Sequence, residues 1–234
     1  MRCILSYTMH FSCLVFAAAH LKPQEVKGKT VIDVGSYNHN GNLHDLYQHY
    51  EPSTFVGADL FAGPGVDVVC PAEDIAKKFG EESFDIVLSS ELLEHARNWR
   101  EVVSNIKRVA KRSGTILITT RSKGFGLHGY PHDYWRYELD DMRAIFSDME
   151  IVALESDRQA PGVFIKMRKP MDFKENDTKD IALYSIIEDK RTKHIDERAE
   201  KVFHKKSAKR ERYLKLFKAV ELKILNIGHW LIFR

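Results

Sequence analysis

The sequence predicts an α/β fold in which a mostly parallel sheet is covered by helices on both faces. Two observations carry this. Between residues 29 and 170, short runs rich in β-branched and aromatic residues alternate with helical patterns. The runs also end in Gly, Asp or Ser, at the strand ends where an open sheet builds its ligand crevice. The first run, Thr30-Val31-Ile32-Asp33-Val34, stops at Gly35, and the second, Thr54-Phe55-Val56-Gly57-Ala58, stops at Asp59. The third, Val66-Asp67-Val68-Val69, stops at Cys70, and the fourth, Phe84-Asp85-Ile86-Val87-Leu88, runs into Ser89-Ser90. The fifth, Thr115-Ile116-Leu117-Ile118-Thr119, follows Lys111-Arg112-Ser113-Gly114, which reads as a helix end with basic residues and a glycine stop.

Helices are expected over 41–50, 72–79, 91–111 and 138–147, the last opening with acidic residues that suit a helix N-terminus. Residues 151–155 and 163–168 read as a closing antiparallel pair, because the Pro161-Gly162 link between them is short. The expectation is therefore a doubly wound seven-stranded sheet, five strands parallel and the last two a hairpin.

On either side of this domain the texture changes. Residues 1–28 read as a helix covering the sheet, since Phe11, Leu14, Val15, Ala18 and Leu21 fall at helical spacing and His10 and Ser12 interrupt the apolar run. The other reading of that stretch is a secretory signal ending in Ala17-Ala18-Ala19. From Met171 to Arg234 the chain is charge-rich, without strand signals, and reads as a basic helical extension of two helices. The later helix carries Phe217, Val220, Ile224, Ile227 and Leu231 on one face with lysines around them. Such a stripe suits docking on the domain, homodimer contact, or a membrane surface.

The net charge of +3 conceals an asymmetry: 17 Lys and Arg against 11 Asp and Glu from Lys169 onward, and 19 against 22 before it. A mildly acidic front is not that of an enzyme coating nucleic acid, whereas the basic tail permits an anionic partner. Three cysteines at no metal spacing predict neither a disulfide framework nor a zinc site, and a cytoplasmic location is expected.

The chemistry-bearing residues lie at the strand ends. A glycine after the first strand lets backbone N–H groups approach a ligand that a Cβ would hold away. Asp59, 24 positions after Gly35, stands near the spacing at which an acidic residue accepts both hydroxyls of a nucleoside ribose. Taken with Phe84-Asp85-Ile86-Val87-Leu88-Ser89-Ser90-Glu91-Leu92-Leu93-Glu94-His95, the motif Asp33-Val34-Gly35 and Asp59 resembles the class I S-adenosylmethionine (SAM)-dependent methyltransferases, in the branch called type 11. The segments Gly65-Val66-Asp67-Val68-Val69 and Gly129-Tyr130-Pro131-His132-Asp133-Tyr134-Trp135-Arg136 are similar to others of that branch, and the likeness runs from about residue 29 to 155.

That resemblance implies a Rossmann-like domain over residues 29–170 that uses SAM and a small-molecule or glycan-like acceptor. By position, Asp33, Gly35 and Ser36 would face the methionine end of SAM, Asp59 the ribose and Leu60 the adenine face. Ala72 and Glu73 would flank the adenine edge, Ser89 and Ser90 would sit under the sulfonium, and His95, one turn into the next helix, would point at the acceptor. Two departures stand out. Gly35-Ser36-Tyr37-Asn38-His39-Asn40-Gly41 replaces the usual glycine-rich turn, which brings Tyr37 or Asn40 into play as a SAM contact. Pro71 occupies the position where relatives read the adenine amino group with an acid, and it offers no side-chain acceptor.

If the acceptor must lose a proton, His95, His128 and Asp133 are the candidates, with His132 beside them. His128 and His132 are four apart, but Pro131 between them argues against the helix that would align them on a metal, and none is expected. An NAD enzyme would share the ribose logic but needs G-x-G-x-x-G for the pyrophosphate, which is missing. A non-catalytic binding protein on the same fold is the alternative. A nucleic-acid methyltransferase ranks below both, since Ser89-Ser90-Glu91-Leu92 offers nothing to hold a flipped base.

Overall fold

The computed structural model describes residues 11–37, 43–129 and 131–209. In chain order its elements are α1 (Phe11–His20), α2 (Pro23–Val26), β1 (Thr30–Val34), α3 (Leu43–Gln48), β2 (Thr54–Asp59), β3 (Val68–Val69), α4 (Ile75–Phe79), β4 (Phe84–Ser90), α5 (Trp99–Val109) and β5 (Ala110–Arg121). They continue as β6 (Trp135–Arg136), α6 (Leu139–Ile145), β7 (Glu150–Ser156), β8 (Gly162–Arg168), β9 (Leu183–Ser185) and β10 (Lys190–Thr192). The main sheet has seven strands in the order β3-β2-β1-β4-β5-β8-β7. Strands β1 to β5 pair in parallel, and β8 runs antiparallel to both β5 and β7. The expected sheet is present, hairpin included. Chain order reverses between β1 and β4, so the crevice outside their carboxyl ends is where a ligand belongs.

Alternation along the strands builds two cores. Val31, Ile86, Leu88, Leu117 and Phe164 share one face with Cys13, Phe16, Ala17 and Leu21 of α1 and with Leu43 and Tyr47 of α3. Val87, Ile116 and Ile118 are buried from the opposite face, against which α5 lays Val102, Val103 and Ile106 at helical spacing.

Helix α1 packs on the sheet, with a different face inward from the one its apolar spacing suggests. Phe11 and Val15 are exposed, while Ser12, Cys13, Phe16 and Ala17 are buried. The helix is apolar nearly all round, so its periodicity does not fix the phase. Tertiary partners do: the Phe16 ring packs on Phe164 with centroids 5.2 Å apart, and Ser12 Oγ donates to Asp157 Oδ2 at 2.7 Å.

Three further expectations need correction. The single helix over 91–111 is broken: Glu91 has a φ of 56°, Leu93–His95 form one tight 3₁₀ turn, and α5 begins only at Trp99. A left-handed Glu91 cannot continue a helix, so His95 sits in a turn at the cavity rather than one turn into a helix. Gly114 is no helix stop, because β5 already starts at Ala110 and Ser113, with a φ of 59°, lies in an irregularity between the Phe84–Ala110 and Ile86–Thr115 pairings.

The extension from Met171 is not wholly helical either. Strands β9 and β10 form a hairpin, and β9 pairs antiparallel with β6 in a small second sheet. These strands are three residues long, too short to leave a periodic signal in a charged stretch.

The chain divides into two compact units, residues 1–193 and 194–234, so the first reaches beyond residue 170. Residues 171–193 are held within it by polar contacts: Asn176 Oδ1 accepts from Lys107 Nζ at 3.0 Å, and Arg100 donates to the carbonyls of Thr178 and Ile181. Of the second unit, residues 197–209 are helical, and the apolar stripe of 217–231 lies outside the described residues, as does Asn40. Among the described residues no helix is long and apolar enough to cross a membrane.

Candidate active site

A cavity of about 1170 Å³ opens at the carboxyl ends of β1, β2 and β4. That is ample for a drug-sized ligand together with a second small molecule. Asp33, Gly35, Ser36, Tyr37, Asp59, Leu60, Ala72, Glu73, Ser90, His95 and His128 all line it, eleven of the thirteen residues the sequence singles out. Ser89 and Asp133 do not. Strand pleating turns Ser89 into the interior, fully buried with no hydrogen-bond partner for its hydroxyl, and gives Ser90 to the cavity.

One end of the cavity gathers the residues that the sequence assigns to a nucleoside. Asp59 terminates β2, and its carboxylate accepts the Tyr37 and Phe61 backbone N–H groups, each at 3.1 Å. It thus ties the turn after β1 to the loop after β2. Gly35 has a φ of +84°, and a Cβ there would come within 3.1 Å of Leu92. The turn after β1 therefore demands glycine for its backbone and for its packing. Leu60 and Phe61 are 52% and 61% exposed at the rim, where a planar ring can cover them. Pro71, Ala72 and Glu73 form the facing edge.

Asp33 lies beneath, 2% exposed, with its Oδ1 unpartnered. Burial, with the negative charge of Asp59 adding to it, pushes its carboxyl up to about 7. An orphaned acid, a ribose-competent carboxylate and a glycine turn fit a cationic amino-acid nucleoside such as SAM.

The other end is polar and aromatic. Gly124, Phe125, Gly126, Leu127 and Gly129 line it with His95, His128 and His132. His95 Nδ1 contacts the His132 carbonyl oxygen. His128 is held from behind: its backbone N–H donates to Asp133 Oδ2 at 2.8 Å, and its Nδ1 faces the same oxygen at 3.3 Å. Asp133 is fully buried and clamped by Arg136, whose Nη1 and Nη2 donate to its two oxygens at 2.6 and 2.9 Å. Its burial is outweighed by Arg136 and His128, which hold its carboxyl down to about 2. Asp133 therefore cannot serve as a base, and it acts as the residue that positions His128.

Glu91, Glu94 and Arg121 escaped the sequence reading. Glu94 is completely buried between His95 and His128, and despite that burial their positive ends hold its carboxyl well below the ordinary range. Burial pulls the His128 imidazole down, but Asp133 and Glu94 outweigh it and raise it to about 9. Glu91 lines the cavity and pairs with the buried Arg121, which also reaches Asp157 Oδ2 at 3.3 Å. Glu91, Glu94 and His95 stand together in the sequence in the fourth-strand motif. Only packing shows that Glu94 is buried, that Glu91 is half-buried, and that both face cations.

Comparison with known proteins bears on the fold. Residues 45–118, roughly a third of the chain, match the family model Methyltransf_11, described as a methyltransferase domain. The 1,6-didemethyltoxoflavin-N1-methyltransferase of Burkholderia thailandensis, solved with 1,6-didemethyltoxoflavin and S-adenosylhomocysteine, aligns over 71% of this chain and 80% of its own, with 15% identity and a TM-score of 0.55. A chain from the Haloferax volcanii complex of the Trm112 methyltransferase activator aligns over 69% of this chain and 90% of its own, with 15% identity and a TM-score of 0.53. No curated protein matches the sequence. Residues 45–118 thus match a methyltransferase domain, and the chain shares the fold of these methyltransferase structures.

Proposed function

We propose that this protein transfers a methyl group from SAM to a small-molecule acceptor whose nucleophilic oxygen or nitrogen enters between His95, His128 and His132. The observation that carries the reading is one continuous cavity, with Asp33, Gly35 and Asp59 at one end and the histidine cluster at the other. Bound SAM supplies a carbon already activated by a positive sulfur. The nucleophile forms a bond to that carbon as the carbon–sulfur pair returns to sulfur, leaving S-adenosylhomocysteine.

The residues of this chain then have three tasks. Asp59 takes the ribose hydroxyls, Asp33 sets a negative charge beneath the amino-acid end, and the Tyr37–Asp59 contact fixes the loop between them. Phe125, Leu127 and Pro161 line the acceptor end with apolar surface, which strips water from the nucleophile. Orientation and desolvation supply most of what an in-line displacement needs. A proton lost from a hydroxyl or amine acceptor leaves towards the polar histidine cluster.

Calorimetric titration of SAM and S-adenosylhomocysteine into wild type and Asp59→Ala tests the reading. Micromolar binding that weakens in the variant supports it. A folded wild-type protein that binds neither would mean that the fold serves as a non-catalytic scaffold.

A further inference from the structure

Three side chains that no sequence spacing groups together meet at the acceptor end of the cavity. Glu94 Oε2 accepts a hydrogen bond from Thr120 Oγ1 at 2.9 Å, but Oε1, equally buried, accepts none. His128 Nε2 lies 3.5 Å and His95 Nε2 3.9 Å from that oxygen, and the two rings meet edge-on with centroids 4.7 Å apart. One donor atom from each residue lies within 4.8 Å of the others. We propose that Glu94, His95 and His128 bind a divalent transition-metal ion of the zinc class, with a further coordination position open to the cavity.

The donor set is one carboxylate oxygen and two imidazole nitrogens, which suits zinc and its borderline neighbours rather than magnesium or calcium. Tetrahedral bonds of about 2.0–2.2 Å space neighbouring ligand atoms by roughly 3.4 Å. The Glu94–His128 separation already meets that spacing, and His95, 3.9 Å from Glu94 and within 4.8 Å of His128, would have to swing towards both on binding.

Both rings are oriented from behind, as metal-binding imidazoles are. The His132 carbonyl can only accept, so it places the proton of His95 on Nδ1 and leaves the Nε2 lone pair facing Glu94. Asp133, locked by Arg136, faces His128 Nδ1 and does the same for the second ring. The backbone makes room for this arrangement at Gly129, where a Cβ would stand 2.5 Å from His95 Cε1.

Glu94 Oε1 and His128 Nε2 are both buried without hydrogen-bond partners, 3.5 Å apart, and one cation between them would satisfy both. Glu94 is sealed from the cavity, whereas His95 and His128 line it. The open side of the ion would therefore face the acceptor, and its use in binding an acceptor oxygen or nitrogen rests on the function proposed above.

The test uses the untagged full chain, stripped with a chelator and titrated with Co²⁺ and Zn²⁺. Metal bound per chain is read by mass spectrometry, and the visible d–d bands of four- or five-coordinate Co²⁺ report the site. Tight binding of one ion per chain, weakened at least tenfold in both Glu94→Gln and His128→Asn, is expected. Circular dichroism and thermal unfolding confirm that each variant is folded. Failure of folded wild type to take up either ion overturns the site, as does binding that both variants retain, since that would place the ion on other histidines. SAM titration on the same samples separates the readings: metal binding without SAM binding removes the proposed function and keeps the site, and the reverse removes the site alone.

Discussion

Replacing Asp33 with Asn exposes a cost that the cofactor site imposes on the fold. With its carboxyl raised to about 7 from an ordinary value near 3.8, Asp33 stays protonated in the folded chain at a pH where the unfolded chain has already lost that proton. The stability it contributes is complete below pH 4 and is withdrawn as pH rises through 7. Three pKa units at 1.36 kcal/mol each put the penalty at roughly 4 kcal/mol by pH 8, and about 2 kcal/mol at pH 5.5. Besides the charge of Asp59, the buried Tyr47 hydroxyl faces Asp33, and neither neighbour is a cation.

Asn pays for a buried amide at every pH, so the informative quantity is the difference between the two pH values. Relative to wild type, Asp33→Asn should gain about 2 kcal/mol more at pH 8 than at pH 5.5, measured by urea unfolding without ligand. SAM affinity should move the opposite way. An ammonium prefers ionised Asp33, so the wild-type Kd should weaken about tenfold from pH 8 to pH 6, and this acid limb should vanish in the variant. A stability difference that is equal at both pH values, together with a Kd flat through that range, would refute the reasoning.

Other perturbations follow from the same contacts. Asp59→Ala should weaken SAM binding by about 1.5–3 kcal/mol, the scale of lost charge-assisted hydrogen bonds, as read by calorimetry. Arg136→Met strands the buried Asp133 carboxylate and should cost about 3–5 kcal/mol in urea unfolding, with Asp133→Asn in the same chain restoring part of it. Lys107→Met should cost a similar amount, because Nζ donates to Asp148 Oδ2 and the Ile145 carbonyl at 2.8 Å each in a fully buried site. A chain ended after Lys193 should unfold cooperatively and bind SAM. One ended after Pro170 should lose several kcal/mol, because it forfeits the Lys107–Asn176 and Arg100 contacts.

How much of the candidate site is legible in the sequence depends on the range of the interactions that make it. Asp33, Gly35 and Asp59 could be read because each sits at the end of a strand whose hydrophobic run announces it, and parallel pairing brings those ends to one edge. Ser89 against Ser90 could not be decided, because a one-residue difference in pleat exchanges cavity for core. Asp133 was read as a base for want of its partner: the clamp from Arg136 turns the same residue into a buried, permanently charged support for His128.

The strands, the closing hairpin and the glycine and acids at one end of the cavity follow from local pattern, since period and turn chemistry act over a few residues, whereas the strand order belongs to the folded chain. The rest needed the folded chain. The phase of α1 is fixed by Phe164 and Asp157, and the break before α5 goes with a left-handed Glu91 paired to Arg121 across the sheet. Glu94 and His95 are adjacent in sequence, but His128 reaches them from a loop beyond β5. Their convergence on a buried, unsatisfied oxygen is a property of packing, because desolvation and the distance between charges exist only once distant segments have met.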